Sequence, residues 1–193
     1  MSQATADFRT SLLTALRFFA QKHPEQQQAA DKMQAFIQST PDCFQRWYQS
    51  GHMTGSAWLL NPAGDKALLT LHRKLGRWLQ TGGHADGDSN LLRVALREAT
   101  EESGINGITA ESTDIFDIDI HLIPENSAKR EPAHYHYDVR FLLRAPHESF
   151  AISDESEALE WWGADDFATR CSELDSSVLR MAARSGLYQG SPA

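Results

Sequence analysis

Three carboxylates in the run REATEE, at 97–102, are the residues of this chain most suited to chemistry: Glu98, Glu101 and Glu102. On a helix, Glu98 lies three and four residues before the other two, so all three side chains share one flank. Like charges at that spacing weaken an isolated helix by about 0.2–0.5 kcal/mol per pair. They also sit toward a C-terminal end, where the macrodipole disfavours anions. Local physics opposes this arrangement unless something positive binds there. Mg2+ or Mn2+ would do so, since both take carboxylate oxygen and bridge to substrate phosphate. Arg97, four residues before Glu101, is expected to pair with a carboxylate and hold it in position. Taken alone, EATEE reads more readily as a solvated acidic helix face.

Histidines form the second constellation. In AHYHYDVRFLLRA, residues 133–145, alternation predicts a strand. His134 and His136 then point to one face, and Asp138 continues that face. His84 follows the glycine pair Gly82–Gly83, and His52 stands at the head of another strand-like run. Imidazoles in this pattern suit Zn2+, Mn2+ or Fe. The same HxH also suits a substrate-phosphate contact or a partly buried hydrogen-bonded pair.

The elements that must position these groups follow from periodicity. Residues 5–21 and 25–38 carry apolar residues at helical spacing, the second segment beginning near Pro24. A short third helix is expected from Pro41. The pattern changes at Gly51: HMTGSAWLLN and KALLTLHR read as two strands of a hairpin joined by the turn NPAGD. A loop and a short strand lead to a helix over 89–103, capped by Asp88 or Ser89 and ended by Gly104. Its apolar stripe is Leu92, Ala95, Leu96 and Ala99. Strands are expected in ITAESTDIFDIDIHLI and ALEWWG, a polar loop in PENSAKREP, and helix over 164–185. Helices and strands interleave without regular βαβ repetition, which predicts an α+β fold with a mixed sheet and helices on its faces. Residues 1–50 are expected to be a helical extension packed on a core domain, 51–193. That extension would serve as a cover for the pocket or as a homodimer surface, and the sequence leaves both open.

Composition narrows the partners. The 193 residues carry a net charge of −8 and a hydrophobic fraction of 41%. Negative charge argues against general binding to nucleic acid or a membrane surface. It still allows a phosphorylated small molecule held through metal ions. Cys43 and Cys171 lie far apart with no CxxC pattern, which points away from a disulfide framework and toward the cytoplasm. The first residues lack signal-peptide character, and no apolar run approaches the ~20 residues a membrane helix needs.

The longer pattern around the glutamates resembles the Nudix box. Gly83, Arg97-Glu98, Glu101-Glu102 and Gly104-Ile105 are in register with it, and the similarity extends over roughly 51–170, including the hairpin and the stretch Glu155 to Trp161. One position departs: Ser89 stands where the box normally has its first glutamate, and serine is neither an anionic ligand nor a salt-bridge partner. The resemblance implies a Nudix-type α/β/α sandwich and hydrolysis of a diphosphate linked to another moiety. It implies that Glu98, Glu101 and Glu102 hold the metal, that Arg97 orients them, and that a backbone carbonyl near Gly82 or Gly83 completes the shell. The general base would be a box glutamate or a later loop glutamate, Glu155 or Glu157. Trp78, Tyr137, Trp161 and Trp162 would stack on a base or pack, with packing favoured for Trp161. A second resemblance is to type I isopentenyl-diphosphate isomerases. It implies a divalent metal site at His52, His84, His134 and His136, with imidazoles moving preference from Mg2+ toward Zn2+. The isomerase cysteine would fall at Gly82, which speaks against that reaction. A nucleotide-sensing module without catalysis is the remaining alternative.

Overall fold

Helix α1 (Gln3–Lys22) and helix α2 (Gln27–Ser39) form where apolar spacing predicts them. The computed structural model describes residues 3–73, 76–126, 131–152 and 156–190, with side chains from Phe8 onward. Leu12, Leu16, Phe19 and Ala20 of α1 are buried, as are Ala30, Met33 and Ile37 of α2. These are single helical stripes, and the two helices pack together. Pro24 opens a separate 3-10 turn, Pro24–Gln26, ahead of α2.

The helix expected from Pro41 does not form. Hydrogen bonds there span only three residues: Cys43 N–H to Thr40 O at 3.3 Å, Gln45 N–H to Asp42 O at 2.8 Å, Tyr48 N–H to Gln45 O at 3.1 Å. The carbonyls that a helix would need go to tertiary donors instead. Arg9 donates to Thr40 O (3.1 Å) and Pro41 O (2.6 Å), and Met53 N–H donates to Cys43 O (2.7 Å).

Among the described residues eight strands follow: β1 (Gly51–Leu60), β2 (Lys66–His72), β3 (Arg77–Leu79), β4 (Thr81–His84), β5 (Thr109–Ala110), β6 (Asp117–Ile123), β7 (His134–Arg144) and β8 (Ser156–Gly163). The main path runs β3-β2-β1-β7-β5, with β4 paired to β1, β6 to β7 and β8 to β2. The β1–β2, β2–β3, β2–β8, β5–β7 and β6–β7 ladders are antiparallel. β1 and β7 advance in the same direction: Tyr135 N–H donates to Ser50 O at 3.3 Å, and Ala145 N–H donates to Leu60 O at 2.8 Å. The sheet is therefore mixed, as expected. β1 is buried at all ten positions, which suits a strand covered on both faces. The hairpin turn is fixed by Asn61, whose Oδ1 accepts from the N–H groups of Gly64, Asp65 and Lys66 at 2.9, 3.0 and 3.1 Å.

By its contacts the chain divides into two units, residues 1–55, 83–94 and 113–141, and residues 56–82, 95–112 and 142–193. In the first, α2 packs on β6 and Phe36 stacks on Tyr137 with centroids 4.0 Å apart. Gln26 Nε2 donates to Ile118 O at 2.9 Å, which ties the turn before α2 to the same strand. In the second, β2 carries β3 on one edge and β8 on the other, and Trp162 is buried against Trp78 and Phe167. The helical stretch expected over 164–185 is broken into α4 (Ala164–Thr169), a 3-10 turn (Cys171–Glu173) and α5 (Ser176–Arg184). Asp175 starts α5 by accepting from Ser177 N–H and Val178 N–H at 2.9 Å each.

Candidate active site

The glutamates lie on helix α3 (Leu91–Ser103). Its cap is Asn90 rather than Asp88 or Ser89: Asn90 Oδ1 accepts from Arg93 N–H at 3.2 Å. Asp88 is committed elsewhere, accepting from Asn90 N–H at 2.9 Å and from the Arg93 guanidinium at 2.6 and 2.7 Å. The helix ends as expected at Gly104, which takes the left-handed conformation (φ +68°) and donates to Thr100 O at 2.8 Å.

The buried face of α3 is Leu91, Val94, Ala95 and Ala99, whereas Leu92 and Leu96 are half-buried. The stripe is turned from the expected one because the start of α3 rests on the backbone of Gly55. A Cβ placed there would stand 2.7 Å from Leu91 O and 3.0 Å from Val94 Cβ.

That rotation sets the flank of the carboxylates. Glu98 accepts from Arg97 Nη2 at 2.7 Å, so the arginine's partner is its neighbour and not Glu101. Glu102 Oε1 accepts from Gly82 N–H at 2.8 Å, which fixes it to the first residues of β4. Glu101 is exposed. One guanidinium against three carboxylates leaves a formal charge of −2 over residues 97–102. Hard oxygen donors with excess negative charge suit a divalent ion of the Mg2+ or Mn2+ kind. The three are not drawn into one tight set of ligand atoms. Among the described residues, that occurs at the histidines.

Gly82 has no room for a side chain. A Cβ there would lie 2.6 Å from Ser56 Cβ and 2.8 Å from Ser56 Cα. A cysteine of the isomerase type therefore does not fit at this position. Gly83 follows, half-buried, on β4. Ser89, which replaces the first box glutamate, is buried and lines a groove of about 700 Å3 together with Phe18, Leu92 and Ile115. Glu155 lies outside the described residues, and Glu157 is exposed on β8. Each aromatic candidate meets a partner within the fold. Trp78 and Trp162 meet edge to face at 5.4 Å, Tyr137 stacks on Phe36, and Trp161 Nε1 donates to Glu148 O at 2.8 Å.

His52, His84, His134 and His136 come together although they are distant in sequence. The His52 ring centroid lies 5.0 Å from those of His84 and His134 and 4.9 Å from that of His136. The β6–β7 register also places His121 opposite His136, with rings 5.4 Å apart. Spacing along the chain did not single out His121. The cross-strand register is the signal that finds it.

Burial, reinforced by neighbouring imidazoles and by Arg46, pushes His52 and His84 down to about 4. Burial and the other histidines push His136 down to about 2. These rings are therefore neutral near pH 7, the state that metal ligation requires. His121 moves the other way: burial opposes its charge, but its hydrogen bond to Asp119 (3.0 Å) and the charges of Asp138 and Asp119 outweigh it.

With this geometry in place, comparison with known proteins identifies the class. A family model, the NUDIX domain, matches residues 52–181. The chain belongs to the Nudix hydrolase family. Among solved structures, it is similar to a NUDIX-family hydrolase from Clostridium perfringens at 22% identity, covering 70% of this chain and 97% of that one, TM-score 0.53. It is also similar to the MutT protein of Methanosarcina mazei Go1 (18% identity, 72% and 95% coverage, TM-score 0.52). The E. coli dihydroneopterin triphosphate pyrophosphohydrolase is similar at 15% identity, with 68% and 92% coverage and TM-score 0.52. At these identities the likeness is one of fold. A comparison with curated proteins finds no match. Among the described residues, no helix is long and apolar enough to cross a membrane.

Proposed function

We propose that this chain is a divalent-metal-dependent hydrolase that cleaves the diphosphate linkage of a nucleoside diphosphate derivative or related phosphorylated small molecule. The observation that carries this reading is that Glu98, Glu101 and Glu102 all lie on α3, with Glu102 tied to Gly82 N–H. The structural relative that acts on dihydroneopterin triphosphate is an enzyme of the same reaction type, in keeping with it.

Glu98, Glu101 and Glu102 would hold Mg2+ or Mn2+, with the backbone at Gly83 adding a carbonyl ligand. Such an ion supplies charge neutralisation at the diphosphate and a bound water of lowered pKa. The protein's own part is positioning. Arg97 fixes Glu98 through its 2.7 Å hydrogen bond, and the Gly82 N–H fixes Glu102. Glu101, exposed and without a fixed partner from Arg97, is a carboxylate able to take the proton of an attacking water. Glu155 is the alternative base.

Product release from a panel of nucleoside diphosphate derivatives, with Mg2+ or Mn2+, tests the reading. Glu101→Gln, Glu102→Gln and Glu155→Gln serve as controls. Turnover by wild type and its loss in the box variants is expected. Equal activity in wild type and in both box variants would sink the mechanism, and no turnover on any compound would favour the sensing module.

A further inference from the structure

One face of the β6–β7 ladder is polar except for Ile123 at its end. Period-two alternation puts His134, His136, Asp138 and Arg140 on that face of β7. Register places Ile123, His121, Asp119 and Asp117 opposite them in the same order. At one end Arg140, 2% exposed, bonds Asp138 (2.8 Å) and Asp117 (3.0 Å) and lies 3.4 Å from Asp119. One guanidinium against three carboxylates gives this network a formal charge of −2. At the other end stand the imidazoles.

His52 is the anomaly. It is 2% exposed, and neither ring nitrogen has a hydrogen-bond partner of normal geometry. The Tyr48 backbone is near enough only to favour the protonated ring slightly. Buried polar atoms almost always have a partner, and an exception calls for a missing water or ion. Here the ring faces other lone pairs. One ligand nitrogen from each of His52, His84 and His136 lies within 4.8 Å of the others.

His134 stands beside them, with its Nε2 3.3 Å from His136 Nε2 and its Nδ1 2.9 Å from Pro132 O. A carbonyl only accepts, so Nδ1 is the donor of that bond and Nε2 is the nitrogen that faces the other rings. Four imidazoles around zinc lie about 2.0–2.1 Å from the ion and hence roughly 3.3 Å from one another. The His134–His136 separation already equals such an edge. Arg46, paired with Glu131 at 3.4 Å, is the cation that opposes a second positive charge here, while Asp86 favours one.

We infer that His52, His84 and His136, with His134 as fourth imidazole, bind one divalent transition-metal ion, zinc by ligand preference, at a site separate in its residues from the α3 glutamates. Imidazole selects borderline ions over Mg2+. The backbone carbonyl behind His134 is an outer-shell partner of the kind that orients ligating rings.

The test is direct metal binding by the full chain, read without any substrate. Protein stripped with chelator is titrated with Co2+, following its visible d–d absorption, and with Zn2+, followed by elemental analysis. About one ion per chain is expected in wild type and in a Glu101→Gln/Glu102→Gln double variant, unaffected by excess Mg2+. His84→Asn and His136→Asn are expected to lose the tightly held ion while retaining wild-type circular dichroism. If either fails to fold, the half-exposed His134→Asn substitutes, and at least about a tenfold loss of affinity is expected. Wild type taking up no more Co2+ or Zn2+ than folded histidine variants would overturn the site. So would an ion lost in the glutamate variant and kept in the histidine variants. Neither result bears on whether the α3 glutamates catalyse hydrolysis.

Discussion

Glu102 accepts from the backbone N–H of Gly82, and this contact can be separated from its charge by substitution. In Glu102→Gln the amide oxygen still accepts from Gly82 N–H, while the charge is gone. Activity is expected to fall by about 10²-fold or more with the fold intact, measured as kcat/KM on the best compound of the panel. Glu101→Gln should lose activity similarly. It should also stabilise the metal-free protein by roughly 0.3–1 kcal/mol, because it removes an exposed anion from the C-terminal turn of α3. Urea unfolding in chelator checks this, and a destabilised variant would show that Glu101 has a structural partner. Gly82 makes the opposite case. Its absent side chain is what lets β4 approach Ser56, so Gly82→Ala should cost about 1–3 kcal/mol by overpacking. A variant as stable as wild type would mean that β4 shifts freely.

At the scale of elements, the β6–β7 ladder carries a buried ion network that the sequence pattern did not single out. DVR in a strand reads as ordinary alternation. Only the cross-strand register puts Asp117 against Arg140 and Asp119 against Asp138. Removing one partner of such a network strands buried charge. Arg140→Met is therefore expected to destabilise by about 3–5 kcal/mol in urea, against a smaller effect for Asp119→Asn at the half-exposed edge. Comparable small effects for both would show that water reaches the network. Helix α3 illustrates what periodicity leaves open. Its extent, its Gly104 stop and the shared flank of its glutamates were legible, because they depend on residues three and four apart. Ala95 and Ala99 of its expected stripe are buried, but Leu91 and Val94 take the place of Leu92 and Leu96, because Gly55 on β1 decides which side of the helix comes closest. The helix expected at Pro41 failed for the same kind of reason, as Arg9 and Met53 claim its carbonyls.

For the molecule as a whole, a site that exists only in the folded state couples metal binding to stability. Zn2+ at about a hundred times its dissociation constant should stabilise the chain by about 2.7 kcal/mol. A rise in melting temperature in wild type and none in His136→Asn would show this in calorimetry, and equal rises in both would place the ion elsewhere. The sequence by itself determined the α3 carboxylates, the hairpin, the mixed sheet and the family resemblance, since each rests on short-range spacing or on a motif in one continuous stretch. It also marked His52, His84, His134 and His136 as a set. What only the tertiary structure decided is that four rings spread over 85 residues come together around the buried His52, with His121 and the Arg140 network along the same strand face. Strand register is fixed by long-range hydrogen bonding and burial, and no local pattern in the chain encodes which residue will stand opposite which.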